Sequence, residues 1–61
     1  MKYKLLIVSR RGEVIEAKMN FGEFSTFQEI NDWSRKRVKM VSERLFLKGD
    51  EIEFTKLIEL K

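Results

Sequence analysis

Hydrophobic and polar positions change period twice along this chain. Lys2 to Ser9 (KYKLLIVS) is aliphatic and β-branched, with Tyr3, Leu5 and Ile7 on one face and Leu6 and Val8 on the other. A strand with two apolar faces reads as a central strand covered on both sides. Val14 to Phe21 (VIEAKMNF) alternates with period two, placing Ile15, Ala17, Met19 and Phe21 on one face and Glu16, Lys18 and Asn20 on the other. Between them, Arg10-Arg11-Gly12-Glu13 reads as a hairpin turn in which Gly12 supplies a positive φ.

From Ser25 to about Arg44 the period becomes helical. Ser25 with Gln28, or Thr26 with Glu29, forms a capping box, and Phe24 precedes it as half of a hydrophobic staple. Phe27, Ile30, Ser34, Val38, Val41 and Leu45 recur at three- and four-residue spacing and define the buried face. A helix continued past Arg44 turns Phe46 and Leu47 toward solvent, so the pattern predicts a helix end near Arg44 and a short extended piece over Leu45–Leu47. Lys48-Gly49-Asp50 then forms a turn. Glu51 to Leu60 (EIEFTKLIEL) is a strand whose inward face is Ile52, Phe54, Ile58 and Leu60, with Lys56 as a misfit. The alternative is a helix running to Lys48 with Gly49 as its C-terminal cap. Either way the class is α+β, a small antiparallel sheet with one amphipathic helix, ordered ββαββ or ββαβ, in a single domain spanning residues 1–61.

Composition narrows the function more than the fold. Sixty-one residues bury one small core, and without cysteine no disulfide or thiolate–metal staple adds to it. The expected supplement is association. Leu6, Val8, Val14 and Leu57 are left on the sheet face away from the helix, which predicts a homodimer through that face or a sheet edge. No apolar run approaches the roughly 20 residues that span a bilayer. The N-terminal LLIV run is too short for a signal peptide and is followed by Arg10-Arg11, so a cytoplasmic protein without membrane contact is expected.

Candidate chemistry is sparse. There is no histidine or cysteine, and Gly12, Gly22 and Gly49 lie too far apart for a phosphate-binding loop. Glu51, Glu53 and Glu59 sit at odd-numbered strand positions, as on a solvated face. The expectation is therefore no enzyme, no cofactor and no metal. Basic residues exceed acidic ones by thirteen to ten, for a net charge of +3. Five of those cations fall on the helix: Arg35, Lys36, Arg37, Lys39 and Arg44. On the wheel Arg35 and Lys39 flank the core on one side, while Trp33, Arg37, Met40 and Arg44 form a stripe on the other.

An aromatic ring between guanidiniums suits base stacking with phosphate contacts, and Arg10 and Arg11 at the hairpin tip add a distal anchor. The first functional expectation is accordingly a small nucleic-acid-binding protein, for DNA or RNA. The second is a protein-binding adaptor or inhibitor, since Trp, Arg and Met are also enriched at protein interfaces. In size and layout alone the chain resembles small phage- or plasmid-encoded accessory proteins, and no motif carries that likeness.

Overall fold

In the computed structural model, residues 2–18 and 26–60 are described. They form β1 (Lys2–Ser9), β2 (Val14–Lys18), α1 (Phe27–Leu47) and β3 (Ile52–Leu60). The strands make one antiparallel sheet in the order β2-β1-β3, so the apolar first strand is the central one. The order is ββαβ; the ββαββ alternative fails because Leu45–Leu47 belongs to the helix and does not pair as a strand.

The hairpin is closed around Gly12, whose N–H donates to the Ser9 carbonyl at 3.0 Å. The Ser9 N–H in turn donates to the Glu13 carbonyl at 2.9 Å. Gly12 holds φ at +90°, a conformation costly for any residue with a Cβ. This turn sets Val8 opposite Val14, Ile7 opposite Ile15 and Leu5 opposite Ala17. Leu5, Ile7, Ile15 and Ala17 therefore face one way, toward Val41 and Leu45 of the helix. Leu5, Ile7, Ala17, Val41 and Leu45 form the buried cluster, with Trp33, Val38 and Ile52 packed against it.

Thr26 caps the helix, its Oγ1 accepting from the Glu29 N–H at 3.2 Å. The Ser25–Gln28 alternative and the Phe24 staple lie outside the described residues, as do Met19, Asn20 and Phe21 of the expected second strand. Ile30, Val41 and Leu45 are buried as the helical period predicts, but Phe27 is exposed in the first turn. Phe27 stands at the first helical position, and burial on this face begins three residues later, at Ile30.

The helix does not stop at Arg44. Lys48 is its C-cap, and Gly49 follows at φ +74°. The Gly49 N–H donates to the Phe46 carbonyl at 3.0 Å and the Asp50 N–H to the Leu45 carbonyl at 2.8 Å. These two bonds are the Schellman pattern, which satisfies carbonyls that the helix end leaves unpaired. The capped version of the helix end is thus the one adopted, with Phe46 and Leu47 turned to solvent.

The third strand departs from simple alternation. Val8 pairs with Phe54 but Ser9 pairs with Ile52, so Glu53 is an extra residue in a bulge. The bulge reverses the facing of the strand: Ile52 points to the helix, whereas Phe54, Lys56, Ile58 and Leu60 share the opposite face. The expected inward set of Ile52, Phe54, Ile58 and Leu60 is corrected to Ile52 alone. Lys56 is no misfit, and Leu57 lies opposite Leu5 on the helix side.

Candidate interaction surfaces

Three surfaces collect the residues capable of recognition: the helix flanks, the helix end beside the hairpin tip, and the sheet face away from the helix.

The helix carries all five expected cations, but on different sides. Arg37 is partly buried beside the core stripe, and Arg35, Lys36, Lys39 and Arg44 are exposed. Among the described residues none of the five forms an ion pair; the pairs present involve Lys4, Arg10 and Lys48. Trp33 is partly buried and packs against the core cluster, so much of its ring supports the fold. Met40, one turn further on, is 54% exposed. The stripe Trp33–Arg37–Met40–Arg44 therefore runs from the core margin out to solvent.

The hairpin tip sits against the start of β3. Arg10 Nη1 lies 2.6 Å from Glu51 Oε1, and its Nε lies 3.3 Å from Glu53 Oε2. Two carboxylates thus neutralise Arg10, which weakens it as a phosphate anchor. Arg11 is exposed, and its guanidinium reaches the Gly49 turn. Lys48 Nζ approaches Glu13 at 3.9 Å. Exposed pairs of this kind each contribute little, about 0–1 kcal/mol, and act mainly to fix the register of tip and turn.

The polar node beneath them is better protected. Ser9 is buried, and its Oγ accepts from the Glu13 N–H at 3.0 Å. Asp50 Oδ1 accepts from the Glu51 N–H at 2.8 Å and the Arg11 N–H at 3.3 Å. Burial by itself would raise the Asp50 carboxyl. Hydrogen bonds from Ser9, Glu51 and Arg11, with the Arg11 charge, more than offset it and hold the group below its usual value.

A carboxyl lowered on folding stabilises the native state above its unfolded value near 3.8, and that contribution disappears as pH falls through the folded value. Asp50→Asn should therefore lower the urea midpoint at pH 7, and its gap to the parent protein should begin to close near pH 3.8 and vanish only further below, past the folded value. Parallel urea titrations from pH 7 downward check this. On the far end of β1, burial and the Glu59 carboxylate, 3.4 Å away, raise the Tyr3 hydroxyl above its ordinary value.

Phe46 is the residue the periodicity placed in a strand and the structure places in the open. It is 78% exposed, and its neighbour Leu47 is 85% exposed. Phe46 separates two shallow depressions. One is lined also by Arg10, Arg11, Gly49, Asp50 and Glu51, the other by Ser42, Glu43 and Leu47. The signal for this surface was present in the sequence as the Gly49 cap, which commits the preceding residues to helical phase.

The sheet face away from the helix carries Leu6, Val8, Val14, Phe54 and Ile58, together with Lys4, Glu16, Lys18 and Lys56. Among the described residues no group of three or more acidic, histidine or cysteine side chains is placed to hold a metal ion, and no helix is long and apolar enough to cross a membrane. Comparison with protein-family models, curated proteins and solved structures returns no match.

Proposed function

We propose that this protein is a small, non-enzymatic, protein-binding adaptor or inhibitor of the accessory type, acting in the cytoplasm as a homodimer. The observation that carries the reading is the pair Phe46 and Leu47, projecting side by side from a Schellman-capped helix end. Adjacent large apolar side chains left in solvent add little burial to this fold, yet they match the aromatic anchors that dominate protein interfaces. Arg11 beside Phe46 adds a guanidinium of the kind enriched there. The core-facing position of Trp33 and the two carboxylates on Arg10 weigh the same way, because both weaken the nucleic-acid constellation.

The test is a comparison of the parent protein with Phe46→Ser/Leu47→Ser in cross-linking and affinity capture from cells expressing each. The double variant should fold unchanged by circular dichroism, with stability within about 0.5 kcal/mol of the parent, as for surface positions generally. It should lose a partner that Arg37→Ala/Arg44→Ala retains. Retention of that partner by the Phe46/Leu47 variant overturns the assignment.

A second reading keeps nucleic acid as the ligand, favoured by the five helix cations that have no carboxylate partner among the described residues. If all five meet phosphates, affinity for duplex DNA should fall with salt at a logarithmic slope of about −4.5, and Arg37→Ala/Arg44→Ala should reduce that slope by about 2. Trp33 fluorescence and mobility-shift titrations with single-stranded DNA, duplex DNA and RNA measure it. A slope unchanged by the double substitution removes this reading.

A further inference from the structure

The sheet sorts its charges by face. On the side away from the helix, Lys2, Lys4, Lys18 and Lys56 stand against a single carboxylate, Glu16. Glu59, paired with Tyr3, falls on the helix side instead. Four cations and one anion leave the open face with a net charge of +3 among the described residues. Lys4 is held by Glu16 at 3.5 Å, whereas Lys2, Lys18 and Lys56 are exposed and form no ion pair among the described residues. Toward the hairpin tip lies the row Val14–Val8–Phe54, in which Phe54 is 51% exposed.

We infer that this face binds single-stranded nucleic acid, with Phe54 as a stacking platform for a base and the lysines as phosphate contacts. Phe54 and Lys56 are two residues apart on β3, so their Cα atoms lie about 6.8 Å apart on one face. Lys4 follows diagonally across on β1, roughly 7–8 Å further, and Lys2 and Lys18 flank it. Such a track spans about 20 Å of sheet. It holds on the order of four extended nucleotides, the low end of single-strand site sizes.

Other occupants fit less well. Lysine against lysine disfavours a second copy here, which leaves the strand edges for self-association. A duplex keeps its bases stacked inside and offers Phe54 no free ring face. An anionic bilayer would bury Glu16 and Lys56, whose row lies between Phe54 and Ile58 rather than at a rim, and charges in an apolar layer are costly. An unstacked strand supplies both a planar face for the ring and a regular series of charges for the lysines. The site lies on the other face of the sheet from the helix that carries Arg37, Arg44 and Phe46, so it stands or fails apart from both earlier readings.

The experiment titrates the full chain into a fluorescein-labelled oligothymidylate of about 15 nucleotides, read by anisotropy at several salt concentrations. The parent protein should bind with a logarithmic salt slope of about −2, the value for a net charge of +3 on a single strand. Lys18→Ala/Lys56→Ala should bring the slope to about −0.7 and weaken binding about tenfold at low salt. Phe54→Leu should weaken binding about fivefold or more and leave the slope unchanged, because it removes a ring and no charge. No saturable binding by the parent at about 100 μM protein and about 50 mM salt overturns the inference. So does parent-like affinity in either sheet variant, a loss confined to Arg37→Ala/Arg44→Ala, or binding to phosphatidylserine vesicles without binding to the oligonucleotide. Should a variant fail to fold, ultraviolet cross-linking of the parent to an oligonucleotide carrying 4-thiothymine decides. Adducts on the three strands support the site, and adducts confined to the helix overturn it.

Discussion

Ile7→Ala should cost about 3 kcal/mol and lower Tm by roughly 15–20 °C, enough to leave the domain on the edge of unfolding at physiological temperature. Ile7 is fully buried at the centre of β1, flanked by Ile15 and Thr55 on its two neighbours and packed under the helix. Truncation removes three carbons and leaves a cavity that the sheet backbone cannot close, because β1 is hydrogen-bonded on both sides. A domain of this size has a total stability of roughly 3–9 kcal/mol, so the loss is a large fraction of it. Leu47→Ala, equally apolar but 85% exposed, should change stability by less than about 0.5 kcal/mol. Thermal denaturation of the two variants side by side tests the contrast; equal losses would mean that Leu47 is covered.

Gly49→Val should destabilise by about 2 kcal/mol through the backbone alone. A Cβ at this position meets only Arg11 Nη2 at 3.8 Å, an ordinary contact, so steric room is not the obstacle. The obstacle is φ at +74°, which a β-branched residue strongly resists. Escape from that conformation breaks the Gly49-to-Phe46 and Asp50-to-Leu45 hydrogen bonds and frees the last helical turn. Gly49→Asn, which tolerates the left-handed region, should recover at least half of the loss. Hydrogen exchange at position 49 and at Asp50 in the asparagine variant, with urea unfolding of all three proteins, checks the order Gly, Asn, Val. The same substitutions probe the proposed contact surface. Fraying of the turn should release Phe46 and weaken partner capture beyond what the stability loss explains.

Local patterning carried the main elements. The two-sided apolar run of β1 marked a central strand, and β2 and β3 do flank it. Gly12 and Gly49 both adopt the positive φ expected of turn and cap. Thr26 caps the helix, whose Ile30, Val41 and Leu45 are buried. These are consequences of neighbouring residues: side-chain period, capping hydroxyls and glycine's freedom act within one or two turns of chain.

One feature was left open by local patterning, and another lay beyond its range. The helix end was a choice between keeping Phe46 and Leu47 out of water and satisfying the terminal carbonyls; the backbone bonds of the Schellman cap, anchored by Asp50 to the hairpin tip, prevailed. The facing of β3 was reversed by the bulge at Glu53, which arises where Ser9 and Arg10 meet Ile52 and Glu51 across the sheet. An extra residue in a strand has no signature in its own alternation, because only the partner strand defines which position is extra. The sequence alone therefore determined which segments become strands and helix, while tertiary pairing decided that Phe54, Lys56 and Ile58 join Leu6 and Val8 on the uncovered face. Helical period is a property of one segment, whereas strand facing is a property of two.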